Sequence, residues 1–344
     1  MAQINKPSLH MNTKLYTGTG SSNALTGVGF QPDLTWIKKR NGTNYHVWTD
    51  AVRLATKQIY SNDNGAEQTV AEGLKSFDSD GFTLGTNGDT NGSGGSYVAW
   101  NWKAGTGQGS SNTDGSINTT YTSVNTTAGF SISKYTGTGA NATVGHGLGV
   151  APKMIIIKDL TESSYDWMIY HQSLGATKYI RLNLSNVVGT SSVWQDTAPT
   201  NQVFSIVSNS SDVNKSGNNF VAYCFAEKKG YSKFGSYEGN ANANGTFIYT
   251  GFKPSFVLIK NTNDTANWTI NDTGRDQTNA NNLRLFPNQN VAENTGSDSM
   301  DMLSNGFKLR STDSGNNGNG NVMIYMAFAE NPIVGSNNIP AVAR

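Results

Sequence analysis

Pro152-Lys-Met-Ile-Ile-Ile-Lys158 has two counterparts in the same chain, Pro32-Asp-Leu-Thr-Trp-Ile-Lys38 and Pro254-Ser-Phe-Val-Leu-Ile-Lys260. Each is a short apolar run, bounded by proline and lysine and rich in β-branched or aromatic residues, which reads as a buried strand. Sixteen or seventeen residues upstream of each proline stands a tyrosine, in Lys14-Leu-Tyr-Thr-Gly-Thr-Gly20, Ser133-Lys-Tyr-Thr-Gly-Thr-Gly139 and Gly235-Ser-Tyr-Glu-Gly-Asn-Ala241. Downstream, each unit closes on an aromatic strand: Tyr97-Val-Ala-Trp-Asn-Trp102, Phe220-Val-Ala-Tyr-Cys-Phe225 and Met323-Ile-Tyr-Met-Ala-Phe328. Order, spacing and residue type agree three times, so the chain is read as a triplication.

Inside each unit the period is two, as in Phe82-Thr-Leu84, and the runs are bounded by Gly, Asn, Asp and Ser. Ser79-Asp-Gly81 and Ser304-Asn-Gly306 have the composition of tight hairpin turns. No stretch carries a sustained helical period. The expected fold is all-β, three tandem antiparallel β-sandwich repeats of jelly-roll or concanavalin-like form. The expected boundaries are an arm over 1–13, repeats over 14–110, 129–230 and 231–334, a linker over 111–128 and a tail over 335–344. Gly105–Ser116 has flexible-linker composition, so repeats two and three are expected to pack as a pair, with repeat one held more loosely.

Composition narrows the function. The chain has 344 residues, 25 basic and 24 acidic, for a net charge of +1, and only 14% of residues are charged. No global field draws it to nucleic acid or anionic lipid. The longest apolar run, Val322–Ala329, is far short of a membrane helix, so no membrane insertion is expected. The opening Met1-Ala-Gln-Ile-Asn-Lys-Pro7 has no apolar run of the signal-peptide kind, which points to synthesis in the cytoplasm of the producing cell.

Few residues offer chemistry. His10, His46, His146 and His171 have no metal-like spacing, and the lone Cys224 alternates with aromatics like a core thiol, so neither a metal nor another cofactor is expected. Asp50, His171 and Asp272 share one column of the repeat, where a polar strand terminus is the simpler account. Asp78-Ser-Asp-Gly81 lacks the closing glutamate of a calcium loop and reads as a turn. No pair of carboxylates recurs as a glycosidase needs, so no catalytic residue is assigned. Trp100 and Trp102 fall on one strand face and are expected in the core. Trp194, in a Ser- and Thr-rich segment without a tryptophan counterpart, is the expected contact residue for a sugar ring or an interface, with Tyr165 beside it in that role. Ile4, Pro7 and Leu9 are the expected docking residues of the arm.

The phrases Gly29-Phe-Gln-Pro-Asp-Leu-Thr-Trp-Ile-Lys38, Ser76-Phe-Asp-Ser-Asp-Gly-Phe-Thr-Leu-Gly85, Tyr97-Val-Ala-Trp-Asn-Trp-Lys-Ala-Gly105 and Ser304-Asn-Gly-Phe-Lys-Leu-Arg310 resemble a repeated domain of tailed-bacteriophage virion proteins, notably of marine and cyanobacterial phages. The resemblance spans residue 14 to about 334. It implies a concanavalin-like or SPRY-like sandwich on the virion surface, associated with tail fibres, and supplies no catalytic residues. The expectation is a non-enzymatic structural protein for host attachment, meeting other virion proteins of tail or capsid and a host glycan or envelope protein. The alternatives are a capsid decoration protein and, less favoured, a glycan depolymerase. A homo-oligomer is expected, with a trimer as its form unless the three repeats build a pseudo-threefold within one chain.

Overall fold

The computed structural model describes residues 3–333, with the side chains of 297 and 298 left aside; the expected tail over 335–344 lies outside. Among the described residues the regular structure is β-strand, one 3₁₀ turn and two one-turn helices, and every strand pairing named below is antiparallel.

Three large sheets carry the chain. The first orders its strands Met11–Thr17, Ser96–Trp102, Leu34–Lys39, His46–Asp50, Lys57–Tyr60 and Gln68–Thr69. The second orders Tyr121–Asn125, Phe130–Thr136, Asn219–Phe225, Met154–Asp159, Met168–His171, Lys178–Arg181 and Gly189–Thr190. The third orders Ser232–Glu238, Val322–Pro332, Phe252–Asn261 and Thr269–Asp272. The proline-to-lysine strand lies beside the closing aromatic strand each time, pairing Trp36 with Trp100, Ile156 with Tyr223 and Leu258 with Met326.

These strands bury both faces, which is why they read as continuous apolar runs. Alternate residues point opposite ways. Ile37, Tyr97 and Ala99 turn outward onto a small sheet formed by Asn23–Leu25, Gly81–Leu84 and Leu74–Asp78, where Leu25, Phe82 and Leu84 meet them. Ile155, Ile157 and Cys224 meet Val144, Phe204 and Ile206 in the same way, and Val257, Ile259 and Tyr325 meet Met300, Met302 and Phe307. Each large sheet thus has sandwich character.

The inner faces converge. Trp36, Trp48, Trp100 and Trp102 from the first sheet, Ile132, Ile156, Tyr223 and Phe225 from the second, and Phe234, Phe256, Leu258 and Phe328 from the third form one continuous core. Trp102 meets Phe225 of the second sheet and Phe256 and Phe328 of the third edge-on, with ring centroids 5.6–6.4 Å apart. Aromatic contacts of this geometry each add about 0.5–1.5 kcal/mol beyond their buried area. The first sheet is therefore packed into the common core as fully as the other two, contrary to the looser attachment expected of it.

The stretch expected to be linker is likewise built into the structure. Asp33 accepts backbone hydrogen bonds from Ala104, Thr106 and Gly107 at 2.7–3.0 Å, seizing the chain as it leaves Trp102. Ile117 is buried and bridges to Val144, and Tyr121–Asn125 is an edge strand of the second sheet. Composition concealed this because the anchoring groups are backbone amides, which any sequence supplies.

Candidate functional site

The polar residues that recur in the sequence meet where the sheets join. Asp50 ends a strand of the first sheet, its Oδ1 accepting from the Arg53 amide while Oδ2 takes the Arg53 Nε–H. Both side chains are fully buried. The guanidinium also donates to Glu67 and to the Trp48 carbonyl, each at 3.1 Å. Burial works against the Arg53 charge, but Asp50, Tyr223 and Glu67 outweigh it and hold the group above its ordinary pKa. Asp272 and Arg275 reproduce this arrangement in the third sheet, with Glu293 and the Ile270 carbonyl as further partners.

Each aspartate is also bound by a neighbouring sheet. The Tyr223 hydroxyl of the second sheet donates to Asp50 Oδ2 at 2.7 Å, and Trp100 Nε1 of the first sheet donates to Asp272 Oδ2 at 3.0 Å. The remaining junction has Met326 in the donor position, and a thioether has no hydrogen to give. His171 stands there in place of aspartate. Its Nδ1 accepts from the Ser173 amide at 3.2 Å, which leaves Nε2–H to donate to the Tyr325 carbonyl at 3.2 Å. Burial lowers the His171 pKa to about 4 against the pull of that carbonyl, so the ring is neutral at neutral pH.

The strand-ending lysines form a second ring of ties. Lys38 Nζ donates to the carbonyls of Gly42, Asn44 and Asn290, Lys158 Nζ to those of Asn64, Asp159 and Tyr165, and Lys260 Nζ to those of Ser185 and Asn261. Asn290, Asn64 and Ser185 each belong to the chain of a neighbouring sheet. Burial lowers all three lysine pKa values to about 8. Chemically, these aspartates, arginines and lysines are already paired with protein groups. They are joints.

A further triad escaped the sequence reading. Asn91, Asn214 and Asn317 are fully buried. Each offers Oδ1 to an amide of the opening glycine-rich loop, that of Thr19, Thr138 or Asn240, at 2.9–3.0 Å. Their Nδ2 groups donate to carbonyls such as Gly85, Val207 and Ser311. The loop tyrosines are tied nearby, Tyr16 to Thr90, Tyr135 to Val213 and Tyr237 to Asn316, through their hydroxyls. The signal was a third aligned column, obscured by the abundance of asparagine.

The expected contact residues are placed differently from the reading. Trp194 is 1% exposed, edge-on to Tyr170, with Nε1 donating to the Lys178 carbonyl at 3.1 Å, so it is a core residue of the second sandwich and no exposed platform. Its polar-rich flanks suggested a surface loop, yet the turn folds the ring inward. Tyr165 is half-buried, and its hydroxyl is held between Glu162 at 3.1 Å and Lys215 at 3.0 Å. Ile4 is buried in the common core with its amide on the Lys229 carbonyl, and Pro7 is buried too. Both are anchors within this chain and are unavailable for docking; Leu9, 46% exposed, is the arm's outward apolar residue.

Among the described residues no group of three or more His, Cys, Asp or Glu side chains could hold a metal ion. Open polar ground lies instead at the junction of the first and third sheets, in a concavity of about 450 Å³ lined by Tyr45, Asn62, Asp63 and the segment Asn288–Val291. Nothing matches the chain among curated proteins or solved structures. Over residues 6–332 it matches the family described as Domain of unknown function (DUF7483), and the chain belongs to that family.

Proposed function

We propose that this chain is a non-enzymatic structural and adhesion protein on the surface of a tailed-bacteriophage particle, made of three β-sandwich repeats about a pseudo-threefold axis and acting in host attachment at the tail. The reading starts from the resemblance of its repeated phrases to virion surface domains. The observation that carries it is the use of the recurring ionisable residues: Asp50, Arg53, Asp272, Arg275 and the three strand-ending lysines are buried and bonded to neighbouring protein. Recurring chemistry spent on joints makes a rigid body, and the rims it supports are loops of Asn, Ser, Thr and Gly suited to neutral hydrogen bonding. A single chain then supplies a threefold arrangement without oligomerising, which fits it for a seat on a symmetric part of the particle.

Imaging of particles labelled for this protein tests the reading. A few to tens of copies at the tail is the expected result. Hundreds of copies over the shell would replace attachment with capsid decoration, and absence from particles would overturn the proposal. Shortening of a host polysaccharide by the purified protein would make it a depolymerase.

A further inference from the structure

The three sheet junctions share one polar device, and one of them departs from it. At the second, Asn183 Oδ1 accepts from the Trp167 amide at 3.0 Å while Nδ2 donates to Asp166 Oδ1 at 2.7 Å. At the third, Asn288 Oδ1 accepts from the Trp268 amide at 3.0 Å while Nδ2 donates to Asn267 Oδ1 at 2.7 Å. The residue before the aromatic therefore satisfies the asparagine. At the first, Asn62 Oδ1 accepts from the His46 amide at 2.7 Å, but the preceding residue is Tyr45, which has no side-chain carbonyl to offer. Among the described residues Asn62 Nδ2 has no hydrogen-bond partner.

The unpaired amide does not stand alone. Asp63, Gln289 and Asn290 line the same concavity, and among the described residues the Asp63 carboxylate and the two side-chain amides make no hydrogen bond. Tyr45 is 41% exposed and lies against Tyr60, ring centroids 4.6 Å apart and 28° from parallel. The walls are fixed from behind. Trp167 Nε1 donates to the Tyr60 and Asp63 carbonyls at 3.0 Å, Lys158 holds Asn64, Lys38 holds Asn290, and Ser61 Oγ donates to Pro287 at 2.8 Å.

We infer that this concavity is a saccharide-binding site for a neutral sugar residue. A supported tyrosine ring offers an apolar face for the C–H face of a pyranose. Around it, three amides and one carboxylate supply the donors and acceptors that paired hydroxyls require. The single formal charge lining it is negative, which disfavours acidic sugars. Walls held by buried side chains lose little freedom on binding. The inference rests on the adhesion reading above and gives it an address.

Saturation-transfer NMR on the full chain tests it, with methyl glucoside, methyl galactoside, methyl mannoside and N-acetylglucosamine as neutral probes and glucuronate as the acidic one. At least one neutral probe should bind, and glucuronate more weakly than it. Tyr45→Phe should keep binding within about threefold, since stacking remains. Tyr45→Asp recreates the Asp166–Asn183 pair, so it should fold with an unchanged melting temperature yet bind about tenfold more weakly or worse. Binding by Tyr45→Asp equal to the parent would overturn the site and leave the adhesion reading standing. Failure of every neutral probe, or preference for glucuronate, would overturn the site as well, while particle labelling separately decides the location of the protein.

Discussion

The Tyr223 hydroxyl lies 2.7 Å from Asp50 Oδ2, so a residue in the centre of the second sheet completes an ion pair built by the first. The Trp100–Asp272 bond repeats this between the first and third sheets, and His171 replaces it between the second and third. Each junction thus has a donor and an acceptor drawn from different sheets. The identity of one follows the chemistry of the other: aspartate faces an N–H or O–H, and the imidazole N–H faces a carbonyl where Met326 leaves no donor.

Removing one half of such a joint should be costly. Asp50→Ala strands the Arg53 guanidinium in the core, and loss of one partner of a buried pair costs about 3–5 kcal/mol. Tyr223→Phe removes one hydrogen bond while Arg53 still satisfies the carboxylate, and should cost about 1 kcal/mol. Urea titration followed by tryptophan fluorescence would rank them. Because the three inner faces share one core, far- and near-ultraviolet signals should move in one transition. A separate early transition for the first sheet would contradict the joint assignment.

The asparagine clamps make a local prediction. Asn214→Ala removes a group whose Oδ1 and Nδ2 tie the Thr138 amide to the Ala140 and Val207 carbonyls, and burying those groups without partners costs about 1–3 kcal/mol. The damage should be confined to the glycine-rich loop and the segment around Ser210–Asn214. Hydrogen exchange should show faster opening there and unchanged protection in Met154–Asp159. Uniform loss of protection would mean the clamp holds more than its loop.

Much of the fold was legible because strands buried on both faces announce themselves as apolar runs, and Pro152–Lys158 did so three times over. The common core was not, since Trp36 and Ile37 look alike in sequence although one turns to the centre and the other to its own sandwich. For the same reason the first repeat looked detachable: Gly105–Ser116 has a linker's side chains but is held through its backbone by Asp33. Trp194 misled by the opposite route, its polar neighbours marking a turn whose ring folds inward. Asp50, His171 and Asp272 were found as a column, but their purpose depends on partners in other repeats. Tyr45 drew no attention because its importance lies in what Asp166 and Asn267 do at the matching places.

The N-terminal arm divides between anchor and surface. Ile4 sits in the common core, so Ile4→Ala should cost about 2–5 kcal/mol as a large-to-small core change. Leu9 is exposed, and Leu9→Ser should change stability by no more than about 0.5 kcal/mol. Deleting residues 1–13 would also remove part of the first-sheet strand Met11–Thr17, so Leu9→Ser is the cleaner probe of the proposed docking to other virion proteins. Melting temperature and incorporation into particles, read together, separate the two roles. A destabilised Leu9→Ser variant would contradict the exposed placement.

Acid should loosen the structure before most carboxylates titrate. The His171 and His146 pKa values are lowered by burial from 6.5 to about 4, and burial holds that of His46 well below its ordinary value too. Above pH 6.5 these rings are neutral whether folded or unfolded and contribute no pH dependence. As pH falls from 6.5 towards 4 the unfolded chain takes up protons that the folded chain refuses, so stability falls with pH throughout that window. Each histidine contributes a slope of up to about 1.4 kcal/mol per pH unit. His171→Gln keeps an N–H near the Tyr325 carbonyl but removes the titration. Its unfolding free energy between about pH 7 and pH 4 should therefore decline less steeply than the parent's, by the slope of one proton. Parallel declines in parent and variant would show that the folded protein takes up the His171 proton as readily as the unfolded chain does, and would overturn the burial-lowered pKa.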